Sequence, residues 1–214
     1  DHRDLHSFPT RRSSDLLLAT VQKGDGGQFA HYMRTSDRQW QQFSKFGDGT
    51  KQAVFGPHND LYIVTLNGAP RGELLRVSLD DLSIEDAETV LPQGADSIVT
   101  SGIAFWGERT VVPTKSRIYV VYQLGGPSVI RTFDHDGRIM ASPRQLEVAS
   151  VHGLLPLEGD DLLFGNTSFI DADAFYHYNA DADRTTRTAI ADKASVEFSD
   201  AEVIREFEIG RAHV

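Results

Sequence analysis

The chain has no cysteine among its 214 residues. That excludes disulfides, zinc–thiolate sites and a cysteine nucleophile, and it fits a bacterial cytoplasm and a periplasm equally. Basic charge is short: 21 Lys and Arg stand against 31 Asp and Glu, a formal net charge of −10. A surface of that sign repels phosphate backbones, so no nucleic acid partner is expected. Long apolar runs are missing too. Stretches such as Ile118-Tyr-Val-Val-Tyr122 have the length of a strand, far below the roughly 20 residues that span a bilayer, so no membrane partner is expected. Helical periodicity is almost absent. Gly-x-Ser-x-Gly, the strand-to-helix turn that exposes a serine nucleophile, occurs nowhere; Ser101-Gly102 and Gly126-Pro-Ser128 do not fit it.

The two ends call for separate treatment. Read back into DNA, Ser7 to Leu16 matches TCT TTC CCT ACA CGA CGC TCT TCC GAT CT, one frame of a common short-read library adapter. Ile209-Gly-Arg-Ala-His-Val214 matches AG ATC GGA AGA GCA CAC GTC, followed by a stop codon in register. Asp1–Leu16 and about Glu208–Val214 are therefore expected to be translated adapter, set aside before fold reasoning. His2, His6, His213 and the Arg11-Arg12 pair then carry no functional weight. The ends hold four basic residues (Arg3, Arg11, Arg12, Arg211) and four acidic ones (Asp1, Asp4, Asp15, Glu208). The 191 residues from Leu17 to Phe207 thus keep 17 basic and 27 acidic residues and the same net charge. That length suits one sizeable domain or part of a larger one.

What the interior contains is strands. Short β-branched or aromatic runs alternate with Gly, Asp, Asn and Pro clusters, an all-β pattern. Four segments repeat. They begin at Leu17, Leu61, Ile118 and Leu162, spaced 44, 57 and 44 residues apart. Each has a strand, a polar loop and a second strand ending near Asp or Asn: Leu17–Val21 then Gln28–Tyr32, Leu61–Thr65 then Glu73–Val77, Ile118–Tyr122 then Ser128–Thr132, and Leu162–Asn166 then Ala174–Tyr178. The period suits a four-stranded propeller blade of roughly 40–50 residues. The apolar first strand of each pair should lie nearer the centre. The second alternates, as in Leu75-Arg76-Val77-Ser78-Leu79, with one face packed and one wet. Shorter strands are expected between pairs, at Gln52–Phe55, Glu88–Leu91 and Thr186–Ile190. Asp48-Gly49, Asn67-Gly68 and Asp136-Gly137 supply tight turns. The fold expected is all-β: a partial β-propeller of about four blades from a seven-bladed ring, in an open arc. A β-sandwich is the rival, though sandwiches need not show a common period.

Two segments carry a resemblance. Thr65-Leu-Asn-Gly-Ala-Pro-Arg-Gly-Glu-Leu-Leu-Arg-Val-Ser-Leu-Asp80 resembles the prolyl oligopeptidase family in its turn, its Ala69-Pro70 and its outgoing strand ending in Asp. Glu88-Thr-Val-Leu-Pro92 is similar to the family's next strand. Phe164-Gly-Asn-Thr-Ser-Phe-Ile-Asp-Ala-Asp-Ala-Phe-Tyr-His-Tyr178 resembles a motif late in the family's propeller, matched at Thr167, Ser168, Phe169 and Tyr176. Ala172 stands where the family usually has Pro, and Asn179 where it often has Asp. The resemblance is diffuse before about Phe46. Its order places Leu17–Phe207 in the second half of the propeller, with Glu202–Phe207 leading toward an α/β-hydrolase domain.

The resemblance implies a serine peptidase for short peptides, often cutting after proline, whose propeller caps the active site and filters oligopeptide substrates. The catalytic Ser, Asp and His would belong to the hydrolase domain in cis, so no catalytic residue, cofactor or metal ligand is assigned in this chain. His31, His58, His135, His152 and His177 lack metal-ligand spacing. Asp171, Asp173, Asp181 and Asp183 lack the fixed positions of a calcium loop and read as turn residues. Asn166-Thr-Ser168 is a formal glycosylation sequon that reads better as a strand-end turn. Trp40 and Trp106 read as blade packing, and Arg71, Arg76, Arg117 and Arg131 form no cluster. Two other classes compete: a non-catalytic propeller used as a binding scaffold, which should repeat a signature dipeptide in every blade, and a propeller glycosidase, which needs paired carboxylates.

Overall fold

The computed structural model of the protein describes residues 5–11, 16–100, 108–194, 196, 198 and 200–206. Trp106, Ser101-Gly102 and Phe207 lie outside them, as do Asp1–Asp4, Arg12–Asp15 and the residues after Phe207. The described chain forms strands, turns and irregular loops without a helix, so none of it is a helix long and apolar enough to cross a membrane.

Seventeen strands fall into four antiparallel sheets. The first runs in order through β1 (Leu5–Arg11), β2 (Leu17–Lys23), β3 (Phe29–Arg34) and β4 (Trp40–Ser44). The second follows with β5 (Thr50–Phe55), β6 (Asp60–Thr65), β7 (Glu73–Ser78) and β8 (Glu88–Leu91). The third orders β10 (Val111–Pro113), β11 (Ile118–Gln123), β12 (Ser128–Phe133) and β13 (Ile139–Met140), with the short β9 (Ser97–Ile98) also pairing to β11. The fourth comprises β14 (Ser150–Pro156), β15 (Leu162–Thr167), β16 (Ala174–Asn179) and β17 (Arg184–Ala191). Apart from β9, each sheet is a simple up-and-down meander, and the four do not close into a ring. This is a four-bladed arc of a β-propeller.

The repeats seen in sequence are the second and third strands of each blade: β2/β3, β6/β7, β11/β12 and β15/β16. The first member of each pair does lie nearer the sheet's leading edge, but it is not the leading strand. That place belongs to β5, β10 and β14, which approach one another between neighbouring sheets.

Three apolar clusters hold the blades face to face. Leu18 and Met33 of the first sheet meet Ala53, Leu61, Ile63 and Val77 of the second. Tyr62, Val64 and Leu74 of the second meet Val111, Ile118, Val120 and Tyr122 of the third. Val112, Tyr119, Val121 and Ile130 of the third meet Val151, Leu162, Phe164 and Tyr178 of the fourth. One strand thus feeds two seams, because alternate side chains point to opposite faces. Ile118 and Val120 face one way, Tyr119 and Val121 the other, and all are buried. That is why the second strands of the two middle blades, β6 and β11, read as apolar runs.

At the edges of the seams the blades are latched by polar groups. The Tyr62 hydroxyl lies 2.7 Å from His135 Nδ1, and His135 Nε2 lies 3.1 Å from the Thr114 carbonyl. One seam further on, the Tyr119 hydroxyl donates to the Asp160 carbonyl. Arg76 donates to the His135 carbonyl at 3.0 Å, and Arg117 to the Tyr178 hydroxyl and the Ala180 carbonyl at 3.2 and 3.0 Å. Burial would raise the Asp160 carboxyl. Bonds from the Ser116 hydroxyl and amide and from the Thr114 hydroxyl outweigh it and hold the group below the usual carboxylate range.

Candidate functional site

The turns between second and third strands share one end of the arc with the connections that lead from sheet to sheet. The main chain shows it. Leu66 N–H donates to the Gly49 carbonyl at 2.9 Å, Ile98 N–H to the Arg71 carbonyl at 2.8 Å, and Ser128 N–H to the Ala149 carbonyl at 2.9 Å. Asn166 does the same with its side chain, accepting from Leu146 N–H at 2.7 Å and donating to the Ser150 carbonyl at 2.9 Å. Both ends of this buried amide are engaged, so the formal sequon is a structural clamp with no room for a glycan.

Both motif segments lie at this end. Ala69 is buried in the β6–β7 turn, where its N–H donates to the Leu66 carbonyl and its own carbonyl accepts from Gly72 N–H at 2.7 Å. Pro70 beside it is exposed. In the β15–β16 turn the Ser168 hydroxyl donates to the Asp171 carboxylate at 2.6 Å and accepts from the Asp171 and Ile170 amides. Thr167 donates to the Asp171 carbonyl at 3.2 Å. The short polar side chains thus build the turn, as Ser and Thr do where they can bond to nearby backbone. Phe169 projects from it with 89% of its surface exposed. Tyr176 is not at the turn: its ring stacks on Phe164 at 5.8 Å, against the seam of the third and fourth blades.

Thr167, Ser168 and Phe169 line a groove of about 670 Å³ together with Gly125–Pro127, Val148–Ser150 and the segment 203–206. That segment lies beside the β11–β12 turn, where Arg205 donates to the Leu124 carbonyl. Val148 is held at φ 45°, a conformation that costs a β-branched residue free energy and clusters at functional sites. The groove wall carries glycine, apolar and hydroxyl groups, with Arg205 and Glu206 its only charges. Glu206 is the one carboxylate in this lining, and no histidine, lysine or cysteine stands with it.

The paired histidines and carboxylates are elsewhere. His152 and Asp173 meet at 2.8 Å and His177 and Asp161 at 3.0 Å, both half-buried on the fourth sheet. His58 packs edge-on to His135. Asp183 accepts from the Tyr178 hydroxyl at 2.8 Å. Arg76 pairs with Glu88, and Arg131 pairs with Asp96 while stacking over Tyr122. Trp40 is half-exposed at the start of β4. Among the described residues no group of three or more metal-ligating side chains converges. The four charged pairs, Arg76–Glu88, Arg131–Asp96, His152–Asp173 and His177–Asp161, join residues 12 to 35 positions apart, and nothing in the local sequence announces them.

An open arc of four-stranded meanders with a groove on the turn end defines a propeller module. The chain belongs to the prolyl oligopeptidase N-terminal β-propeller domain family, whose model matches residues 1–190. The match reaches across the stretch before Phe46, where motif resemblance is diffuse, and takes in Asp1–Leu16. No curated protein matches the sequence. Among solved structures, a prolyl endopeptidase superposes with a TM-score of 0.73 at 18% identity, over 88% of this chain and 27% of its own. Prolyl oligopeptidase B from Galerina marginata gives 0.67 at 11%, over 92% and 28%. Oligopeptidase B from Leishmania major gives 0.65 at 12%, over 88% and 27%. The chain therefore spans little more than a quarter of these proteins, and at such identities the likeness is one of fold.

Proposed function

We propose that this chain is the substrate-filtering part of a serine peptidase of the prolyl oligopeptidase type that hydrolyses short peptides. The carrying observation is the family match over nearly all the described strands, joined to a structural likeness covering just over a quarter of each full-length enzyme. The nucleophile, base and oxyanion hole would be supplied by an α/β-hydrolase domain in cis, following Glu202–Phe207. Oligopeptide is the substrate class; the Galerina marginata enzyme was solved with a 35mer hydrolysis and macrocyclization substrate. Ala69, Pro70, Thr167, Ser168, Phe169 and Tyr176 are the positions where the chain keeps the family's turn and packing chemistry. The reading as a non-catalytic scaffold gains nothing from the blades, whose shared features are apolar strands rather than a signature dipeptide.

The adapter reading of Asp1–Leu16 and Glu208–Val214 belongs to the same proposal and rests on the DNA match. β1 meets β2 through main-chain groups from Leu5↔Lys23 to Arg11↔Leu17. Any strand of that length can offer those groups to an unpaired edge.

The test is the parent gene from untrimmed DNA, expressed whole and with the segment equivalent to Leu17–Phe207 removed. A Gly-x-Ser-x-Gly downstream of Phe207, and a truncated enzyme that gains activity on long unstructured polypeptides, are the expected results. A stop codon or a further blade in place of the hydrolase would sink the peptidase reading. Unchanged size selectivity after truncation would sink the filter.

A further inference from the structure

A polar pair is sealed inside the seam of the first and second blades. His31 on β3 is fully buried and Gln22 on β2 is 2% exposed. His31 faces Thr20 across the ladder and Gln22 faces Phe29, so His31 and Gln22 are diagonal neighbours on one face of the sheet. Their side chains can approach across the roughly 7–8 Å that separates such positions. Among the described residues, His31 Nε2 and Gln22 Oε1 each lack a hydrogen-bond partner. Few native groups tolerate that, because an unpaired buried polar atom costs its full desolvation.

The tautomer follows from the other side of the ring. The Ser44 hydroxyl oxygen accepts from His31 N–H at 3.0 Å and lies 2.7 Å from His31 Nδ1. The hydroxyl proton has Nδ1 as its acceptor, so the ring proton sits on Nε2. One orphan is then a donor and the other an acceptor. The rings of Phe29 and Phe43 flank His31, with centroids 6.4 and 5.8 Å away, so its ring sits between apolar walls.

We infer that a single water molecule is bound here, accepting from His31 Nε2–H and donating to Gln22 Oε1, as an integral part of the first interblade seam. Water is the chemical class that fits: it donates and accepts at once, and buried waters make two to four such bonds. Thr20, directly opposite His31 in the ladder, offers the third.

A crystal structure of the full chain with ordered solvent tests this directly. The expected result is a solvent peak within hydrogen-bonding distance of both atoms. A direct Nε2–Oε1 bond, or no peak, overturns it. Gln22→Met keeps the length and removes the acceptor. It should lose the peak and retain the Ser44–His31 bond, and a peak that persists overturns the role of Gln22. Should that variant not fold, ¹⁵N-histidine spectra of the unaltered chain decide. An Nε2–H signal with a cross-peak to water supports the site, and an Nδ1–H tautomer refutes it.

Discussion

The Tyr62 hydroxyl meets Nδ1 of His135 at 2.7 Å, joining the second blade to the third across 73 residues of sequence. Burial pushes the phenol up to about 12, despite the opposing Arg76 guanidinium, so it stays a neutral donor throughout the physiological range. Tyr62→Phe keeps the ring in its seam and removes the hydroxyl with its bond to His135. Net hydrogen bonds contribute about 0.5–1.5 kcal/mol, and a loss of about 1 kcal/mol is expected, read as a lower urea midpoint at unchanged slope. A change in slope would mean that the seam itself had opened.

The residues that reveal the fold in sequence and those that hide it differ in a physical way. β6 and β11 are buried on both faces, so they read as apolar runs and set the repeat. β7 buries Leu75 and Val77 on one face and Leu74 on the other, where Arg76 is only half-buried, so Leu75, Arg76 and Val77 alternate. The leading strands are harder. β10 has three residues and ends in Pro113, and β14 carries a bulge after His152, with Gly153 at φ 59°. Their place is fixed by neighbouring sheets rather than by their own pattern. The motif turns were legible through Ala69-Pro70 and Thr167-Ser168-Phe169. The groove that Thr167, Ser168 and Phe169 share with Val148 and the segment 203–206 was not, since it assembles from four separated stretches.

The fourth blade makes a sharper prediction at Gly165. The His152 ring lies flat over this residue, so an added Cβ would overlap the ring. The ring is held there by Asp173 at 2.8 Å and by an edge-on contact to Phe175. Gly165→Ala must displace it, and overpacking of this kind costs about 1–3 kcal/mol. Thermal melts should show the loss. In the His152→Ala background the same substitution should cost far less, and equal costs in both backgrounds would refute the steric account.

The turn motif divides into a part that folds and a part that projects. Ser168 makes three hydrogen bonds within its turn, and Ser168→Ala should cost about 1 kcal/mol. Phe169 is almost wholly exposed, and Phe169→Ala should stay within about 0.5 kcal/mol of the parent chain. Equilibrium unfolding of the two variants should separate them. A large loss at Phe169 would mean that its ring packs on something within this chain.

Acid should loosen the first interblade seam. Burial pushes His31 down from 6.5 to about 4, against a smaller opposing effect of Asp48. The unfolded chain therefore takes up this proton first as pH falls, and the folded state follows only near 4. The stabilisation is complete above about pH 6.5 and is lost progressively between there and pH 4. It amounts to about 3 kcal/mol by linkage. Denaturation at pH 7.5 and pH 5 should show the slope, and His31→Gln, which cannot titrate, should flatten it. An unflattened slope would assign the effect to the carboxylates.

The same residue bears on catalysis. Ser44 and His31 are the nearest approach to a serine–histidine dyad among the described residues, with Oγ 2.7 Å from Nδ1. A serine peptidase needs the histidine to take the serine proton while the hydroxyl faces substrate. Here serine and histidine are 2% and 0% exposed, and the hydroxyl oxygen is already occupied by the His31 amide. No substrate carbonyl can reach it. The chain alone should neither turn over a proline-containing chromogenic peptide nor take up a fluorophosphonate label. Turnover that disappears in Ser44→Ala would overturn this reading and move the active site into the propeller itself.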